Sequence, residues 1–208
     1  MANLDMKKTL KHLYKPSAKD VSVVDIPPMN YLMIDGTGNP GTSETYDHAV
    51  KALYTLAYNI RAICKADDTV FTVMPLEGLW EFDGQGGEVR KLTSADKGTF
   101  IWTLMILQPE FVTEAIVEQA RETAAKKKGT PALLDNVRFE SYHEGDAVQL
   151  MYIGSYDDEA PTVARLHAYI DDNNHNYAKK HHEIYLSDPR KVAPEKLKTV
   201  IRQPFSRE

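Results

Sequence analysis

Hydrophobic positions fall into two rhythms along this chain, and their order predicts its architecture. Residues 21–26 and 31–35 read as strands, parted by Pro27-Pro28 because proline cannot donate to a sheet ladder. A Gly-rich loop runs from Gly36 to Gly41. Beyond it, Val50, Leu53, Leu56, Ala57 and Ile60 recur at helical spacing and predict one long helix over 44–65. Strands follow at 70–74, 79–82 and 99–107, with the charged, Gly-rich stretch 83–98 as a hairpin connection. Thr113 then opens a helix that runs to about Lys127 and is stopped by Gly129.

The second half repeats this order. Strands are predicted at 137–142 and 147–153, a helix over 158–171, a strand over 180–186, and a last helical turn or two over 194–201. Tyr46, Asp47, Leu53, Leu56 and Ile60 align without a gap on Tyr156, Asp157, Val163, Leu166 and Ile170. Met33-Ile34 matches Tyr152-Ile153 once the longer first loop is allowed for. The expectation is an α+β fold: tandem pseudo-two-fold β-β-α-β modules forming one antiparallel sheet, with helices on one face and a ligand cleft on the other. One domain spans 1–208, divided into a lead-in (1–19), a first module (20–109), a connecting helix and loop (110–135) and a second module (136–208).

Composition narrows the function classes. The 208 residues are 42% hydrophobic and 26% charged, ordinary values that exclude disorder over most of the chain. The net charge of −5, with Lys126-Lys127-Lys128 and Lys179-Lys180 offset by nearby acids, leaves no footprint for nucleic acid. Cys64 is the sole cysteine, which excludes an internal disulfide and a Cys-based zinc site. No stretch approaches the roughly 18 apolar residues of a membrane span. The N-terminus lacks the apolar core of a signal peptide. A cytoplasmic protein with neither nucleic-acid nor membrane partner is expected.

Gly36-Thr37-Gly38-Asn39-Pro40-Gly41 fits a dinucleotide fingerprint in spacing only. Pro40 removes a backbone donor where phosphate needs one, and no ribose-binding acid follows the next strand. The histidines show no ligand spacing: His181 and His182 are adjacent on a strand and point to opposite faces. No metal or organic cofactor is expected, and no nucleophile elbow is present.

The informative stretch is His181-His182-Glu183-Ile184-Tyr185-Leu186. Alternation puts Ile184 and Leu186 on one face, and Glu183 with Tyr185 on the other. A carboxylate between apolar neighbours is costly unless its face is wet, paired or lining a pocket. If Ile34 and Ile153 pack beneath the helices, Met33 and Tyr152 share the face of Glu183. Trp80, Trp102 and Tyr142 also lie on predicted strands. A sheet face bearing several aromatics and one acid is the composition of a pocket for a flat aromatic or cationic ligand. The candidate site residues are therefore Glu183, Tyr152, Trp80, Trp102, Tyr142, Tyr185 and Met33.

The duplicated order, together with His182-Glu183-Ile184-Tyr185-Leu186-Ser187-Asp188-Pro189 and Tyr152-Ile153-Gly154-Ser155-Tyr156-Asp157, resembles the GyrI-like small-molecule-binding family. Lys7-Lys8-Thr9-Leu10-Lys11, Leu13-Tyr14-Lys15-Pro16-Ser17 and Tyr31-Leu32-Met33-Ile34-Asp35-Gly36 are similar to a stand-alone branch of about this length. The resemblance covers nearly the whole chain. It implies paired modules with a ligand cleft between them, Glu183 as the pocket acid, and Trp80 and Trp102 as aromatic walls. Members of that family include drug-responsive regulator domains, a gyrase inhibitor, and cyclopropanoid cyclopropyl hydrolases that open a strained ring with water. The expectation is a small-molecule-binding protein that hydrolyses such a ring, with Glu183 as base, its pKa raised by burial, and Tyr152 or Tyr185 on the developing oxyanion. The alternatives are a non-enzymatic drug binder or sensor, and a gyrase-inhibitor-like protein.

Overall fold

The computed structural model describes residues 3–82 and 100–207; the hairpin connection expected over 83–98 lies outside them. A lead-in comprises β1 (Asn3–Leu4), α1 (Met6–Thr9) and α2 (Lys11–Tyr14). The first module is β2 (Ser22–Ile26), β3 (Met29–Thr37), α3 (Glu44–Ala66), β4 (Val70–Phe71), β5 (Glu77–Phe82) and β6 (Phe100–Leu107). Helix α4 (Glu114–Ala125) connects it to β7 (Arg138–Tyr142), β8 (Gly145–Ile153), α5 (Ala160–Asp172), β9 (Asn176–Tyr177), β10 (His181–Tyr185) and β11 (Lys198–Ser206).

The long strands form one antiparallel sheet in the order β2-β8-β11-β10-β5-β6-β3-β7, with β9 added on β11. Exchanging each strand for its counterpart in the other module reproduces this order read backwards. The pseudo-two-fold axis therefore passes between β5 and β10, and each module lends its first strand to the other's edge. Both long helices cover the same face. On α3, Leu53, Leu56 and Ile60 are buried, and on α5 their aligned partners Val163, Leu166 and Ile170 are buried too. Ser43 caps α3 by accepting from the amide of Tyr46, and Thr113 caps α4 in the same way.

Two local expectations are corrected. Residues 198–206 are a nine-residue strand at the heart of the sheet, preceded only by a short turn of helix at Pro194–Lys196. The helical expectation over 194–201 rested on too short a window, and no alternation marks the strand because its buried run from Thr199 to Phe205 includes the polar Arg202 and Gln203. The strand expected over 70–74 is limited to Val70–Phe71, which pairs in parallel with β1 rather than joining the main sheet.

On the other sheet face, α2 joins a buried charged network. His182 lies between two carboxylates, Nδ1 2.8 Å from Glu144 Oε1 and Nε2 3.0 Å from Glu77 Oε2. Tyr14 donates to Glu77 Oε1 at 2.6 Å, and Arg202 donates to Glu144 Oε2 at 2.7 Å. With each nitrogen facing a carboxylate, the imidazolium form of His182 can donate to both. Burial opposes that charge, but Glu144 and Glu77 outweigh it and raise the pKa of His182 above 6.5. Burial likewise opposes ionised Glu144, yet His182 and Arg202 hold its carboxyl down to about 2.

These shifts give a pH window for stability. The depressed Glu144 contributes above its unfolded value of 4.5 and loses that contribution as pH falls towards about 2. The raised His182 contributes below its unfolded value of 6.5 and loses it as pH rises through its folded value. Urea denaturation across pH should show this network's full contribution between 4.5 and 6.5, with losses on both sides. Stability that is flat down to pH 3 would contradict the assignment.

Candidate functional site

Strand register fixes what surrounds Glu183. It lies opposite Gly78 on β5 and Ile201 on β11, in a row that continues through Leu104 and Ile34. The neighbouring rows are His181–Trp80–Trp102 and Tyr185–Thr199–Tyr152. Residues directly opposite share a face, so all of these side chains stand with Glu183 on the helix-bearing face, which corrects the expectation that Glu183 and its cleft lie on the face away from the helices. Helix α3 covers β3 and β6, and α5 covers β8 and β11. The floor between them is built from β5 and β10.

Glycines let the indoles lie flat on this floor. A Cβ at Gly36 would come within 2.0 Å of the Trp102 ring, and one at Gly78 within 2.7 Å of Trp80 Nε1. The Tyr46 ring, from the first turn of α3, stacks on Trp80 (centroids 6.3 Å, planes 25° apart) and meets Trp102 edge-on at 5.4 Å. From the second module, Tyr156 meets Tyr185 edge-on at 5.8 Å. Trp80 Nε1 donates to the Tyr185 hydroxyl at 3.0 Å. Tyr46 and Tyr156 are partners in the helix alignment, so the aromatic ring around Glu183 follows the pseudo-symmetry.

Burial works to raise the Glu183 carboxyl, as expected from sequence. Interactions with His181, Tyr185 and Glu159 outweigh it, so the group is held below its ordinary value and is ionised. His181 Nε2 is 3.5 Å from Glu183 Oε1. Burial first, and the Glu183 charge second, push Tyr185 well up, raise Tyr46, and raise Tyr156 to about 12. All three phenols therefore remain protonated donors around one carboxylate. His181 Nδ1 and Nε2, Trp102 Nε1 and Thr199 Oγ1 are buried on this face without hydrogen-bond partners among the described residues. Such atoms are the natural contacts of water or a polar ligand.

The structure divides the residues proposed from sequence. Trp80, Trp102 and Tyr185 gather at Glu183. Tyr152 shares their face, but its hydroxyl donates to the Ser155 carbonyl at 2.7 Å and its ring packs with α5; Tyr185 takes the place beside the acid. Met33 and Tyr142 face the opposite side, in the rows of Glu77 and Ile184 and of Arg138. The match of Met33-Ile34 to Tyr152-Ile153 is one residue out of register, and a one-residue slip inverts every side chain. Ile34, not Met33, shares the face of Tyr152. Met33 and Tyr142 instead line a shallow groove of about 430 Å³ on the face away from the helices, with Leu79 and the Asp35–Arg138 ion pair at 2.7 Å.

Sequence reasoning missed Tyr46, Tyr156, His181 and Glu159. The signal for the first two was present, since they head the two aligned helices. His181 was legible by parity with Glu183. Glu159 lies at the start of α5, and nothing in the strand pattern points to it. Among the described residues, no three His, Cys, Asp or Glu side chains cluster as a metal site requires. No described helix is long and apolar enough to cross a membrane.

The GyrI-like small-molecule-binding domain model matches residues 19–205. The chain belongs to the GyrI-like family. Two solved structures of Listeria innocua proteins are similar to this GyrI-like chain at 38% identity. One is an uncharacterised conserved protein (TM-score 0.89, covering 98% of this chain and 100% of that one). The other is a hydrolase (TM-score 0.86, covering 99% and 100%). The C-terminal domain of EcmrR shares the fold alone, at 12% identity and a TM-score of 0.54, covering 91% of this chain and 98% of that one. No curated protein matches. For a GyrI-like domain, the acid-centred aromatic floor between α3 and α5 is the candidate small-molecule site.

Proposed function

We propose that the floor between α3 and α5 binds a flat aromatic molecule and that Glu183 there promotes the addition of water to a strained, electrophilic ring. The ring is a cyclopropane, as the resemblance to cyclopropanoid cyclopropyl hydrolases implies, and the biological role is detoxification of DNA-alkylating natural products. One observation carries the reading: a buried carboxylate, held ionised, stands among stacked aromatics and unpartnered polar atoms. Similarity to a Listeria innocua hydrolase across almost the whole chain supports it. Trp80 and Trp102 stack the ring system and exclude bulk water. The Glu183 carboxylate activates one retained water, a contribution on the order of 10²–10⁴ in rate. Tyr185, whose single hydroxyl proton faces Glu183 in the free protein, turns it to the oxygen on which negative charge develops. Water addition is redox-neutral, so a base and an oxyanion donor are sufficient for it.

Incubation with a cyclopropane-bearing DNA alkylator, followed by mass spectrometry, tests the reading. Catalytic appearance of a water adduct is the expected result. A tight complex with unchanged ligand would instead make the protein a binder. Replacing Trp80 or Trp102 by alanine should weaken binding of a planar aromatic ligand by about 1–3 kcal/mol, through lost stacking and apolar area. Titration of intrinsic or ligand fluorescence measures this. Parental affinity in both folded variants would make the indoles ordinary core residues.

A further inference from the structure

We propose that His181 takes the proton from the attacking water, with Glu183 holding its other ring nitrogen as the carboxylate of a two-residue dyad. The proposal rests on the hydrolytic reading above and assigns a residue that reading leaves unused. Its first support is geometric. Alternation along β10 puts residues 181 and 183 side by side on the ligand face, and His181 Nε2 lies 3.5 Å from Glu183 Oε1. This is a loose form of the contact, as is usual for catalytic pairs without substrate.

The second support is the contrast with the next residue. His182 has both nitrogens satisfied, at 2.8 and 3.0 Å, and serves to lock the sheet. His181 is just as deeply buried, yet neither of its nitrogens makes a hydrogen bond among the described residues. Buried side-chain polar atoms are seldom left so, and exceptions mark functional sites or places for water. With Nε2 turned to Glu183, Nδ1 is the nitrogen left for water. Trp102 Nε1 and Thr199 Oγ1 share the same face and the same unmet capacity, so this face as a whole is prepared for polar contacts.

The third support is chemical. A carboxylate held below its ordinary range is stable as an anion and correspondingly weak as a base. Such a group acts better by orienting an imidazole and stabilising the imidazolium that forms, which is its role in hydrolase triads. For a cyclopropane conjugated with a carbonyl, the step balances. The water oxygen bonds to the ring carbon while one of its protons passes to His181 Nδ1. The ring C–C bond breaks and its electron pair moves through the conjugation to the carbonyl oxygen. That oxygen takes up a proton, the imidazolium loses one to solvent, and the net change is addition of one water.

The test uses the full chain with a cyclopropane-bearing DNA alkylator, following turnover by mass spectrometry and affinity by fluorescence. His181→Asn should lower kcat by about 10² or more with affinity changed by less than about threefold. His181→Gln, a second polar replacement, carries the same expectation should the first fold poorly. Turnover by His181→Ala should rise about tenfold or more with added imidazole, a response that a purely structural histidine would not give. Parental kcat in a folded His181 variant, or no response to imidazole, overturns the dyad while leaving Glu183 as base and the hydrolytic reading intact. No turnover by the parent protein overturns both.

Discussion

Replacing Arg202 by methionine should destabilise the protein by about 3–5 kcal/mol, the usual cost of stranding one partner of a buried ion pair. Arg202 is 1% exposed and donates to Glu144 Oε2 at 2.7 Å, to Gln149 Oε1 at 3.1 and 3.0 Å, and to the Leu13 carbonyl at 3.1 Å. With it in place, two cations balance Glu77 and Glu144. Without it, His182 alone faces both carboxylates. Methionine fills much of the space but donates nothing, so Glu144 and the Leu13 carbonyl lose partners they cannot recover from water. Domains are typically stable by only about 5–15 kcal/mol, so this variant would stand near its unfolding threshold. Arg202→Lys should recover part of the loss, because an ammonium restores the charge but not the fork that also reaches Gln149 and Leu13. Urea denaturation at pH 6 measures both variants. A loss under about 1 kcal/mol for Arg202→Met would mean that the network contributes specificity of packing rather than stability. The network also bears on the candidate site, because it grips β10 at His182, between the two residues that face the aromatic floor.

Much of this fold was legible in the sequence because hydrophobic periodicity carries it. Leu53, Leu56 and Ile60 mark α3 without ambiguity, and their repetition at Val163, Leu166 and Ile170 exposes the duplication. Parity on β10 correctly joined Glu183 to Tyr185, since both lie within one short strand. It failed where two strands had to be compared. Met33 was assigned through an alignment one residue out of register, and in a sheet that is enough to exchange faces. The role of β11 was hidden because its Arg202 and Gln203 are polar at fully buried positions. Leu13, Glu144 and Gln149 supply partners for Arg202, and the Ala178 and Pro204 carbonyls accept from Gln203, which makes that burial acceptable, and no local pattern announces these partners. The direction of the Glu183 shift was hidden for the same reason. Burial was foreseeable, whereas the balance set by His181, Tyr185 and Glu159 depends on tertiary contacts.

Glu183→Gln should reduce turnover by about 10² or more while ligand affinity changes little. Glutamine preserves the volume and most of the hydrogen bonding to Tyr185, so the aromatic floor remains intact. What it removes is the negative charge. A neutral amide neither activates water directly nor stabilises an imidazolium at His181, so the chemical step loses its driving group on either route. On the proposed reading, affinity for a neutral planar ligand rests on Trp80, Trp102 and Tyr46 and should be largely indifferent to the exchange. A cationic ligand would bind the variant less tightly, having lost its counter-charge.

The most direct measurement is therefore turnover and affinity determined together, on parent and Glu183→Gln, with one cyclopropane-bearing DNA alkylator. The account predicts a water adduct formed over many turnovers by the parent, and a variant that still binds but forms adduct at about one hundredth of that rate or less. Parental turnover by Glu183→Gln would contradict it, and so would a parent protein that holds the alkylator without ever opening the ring.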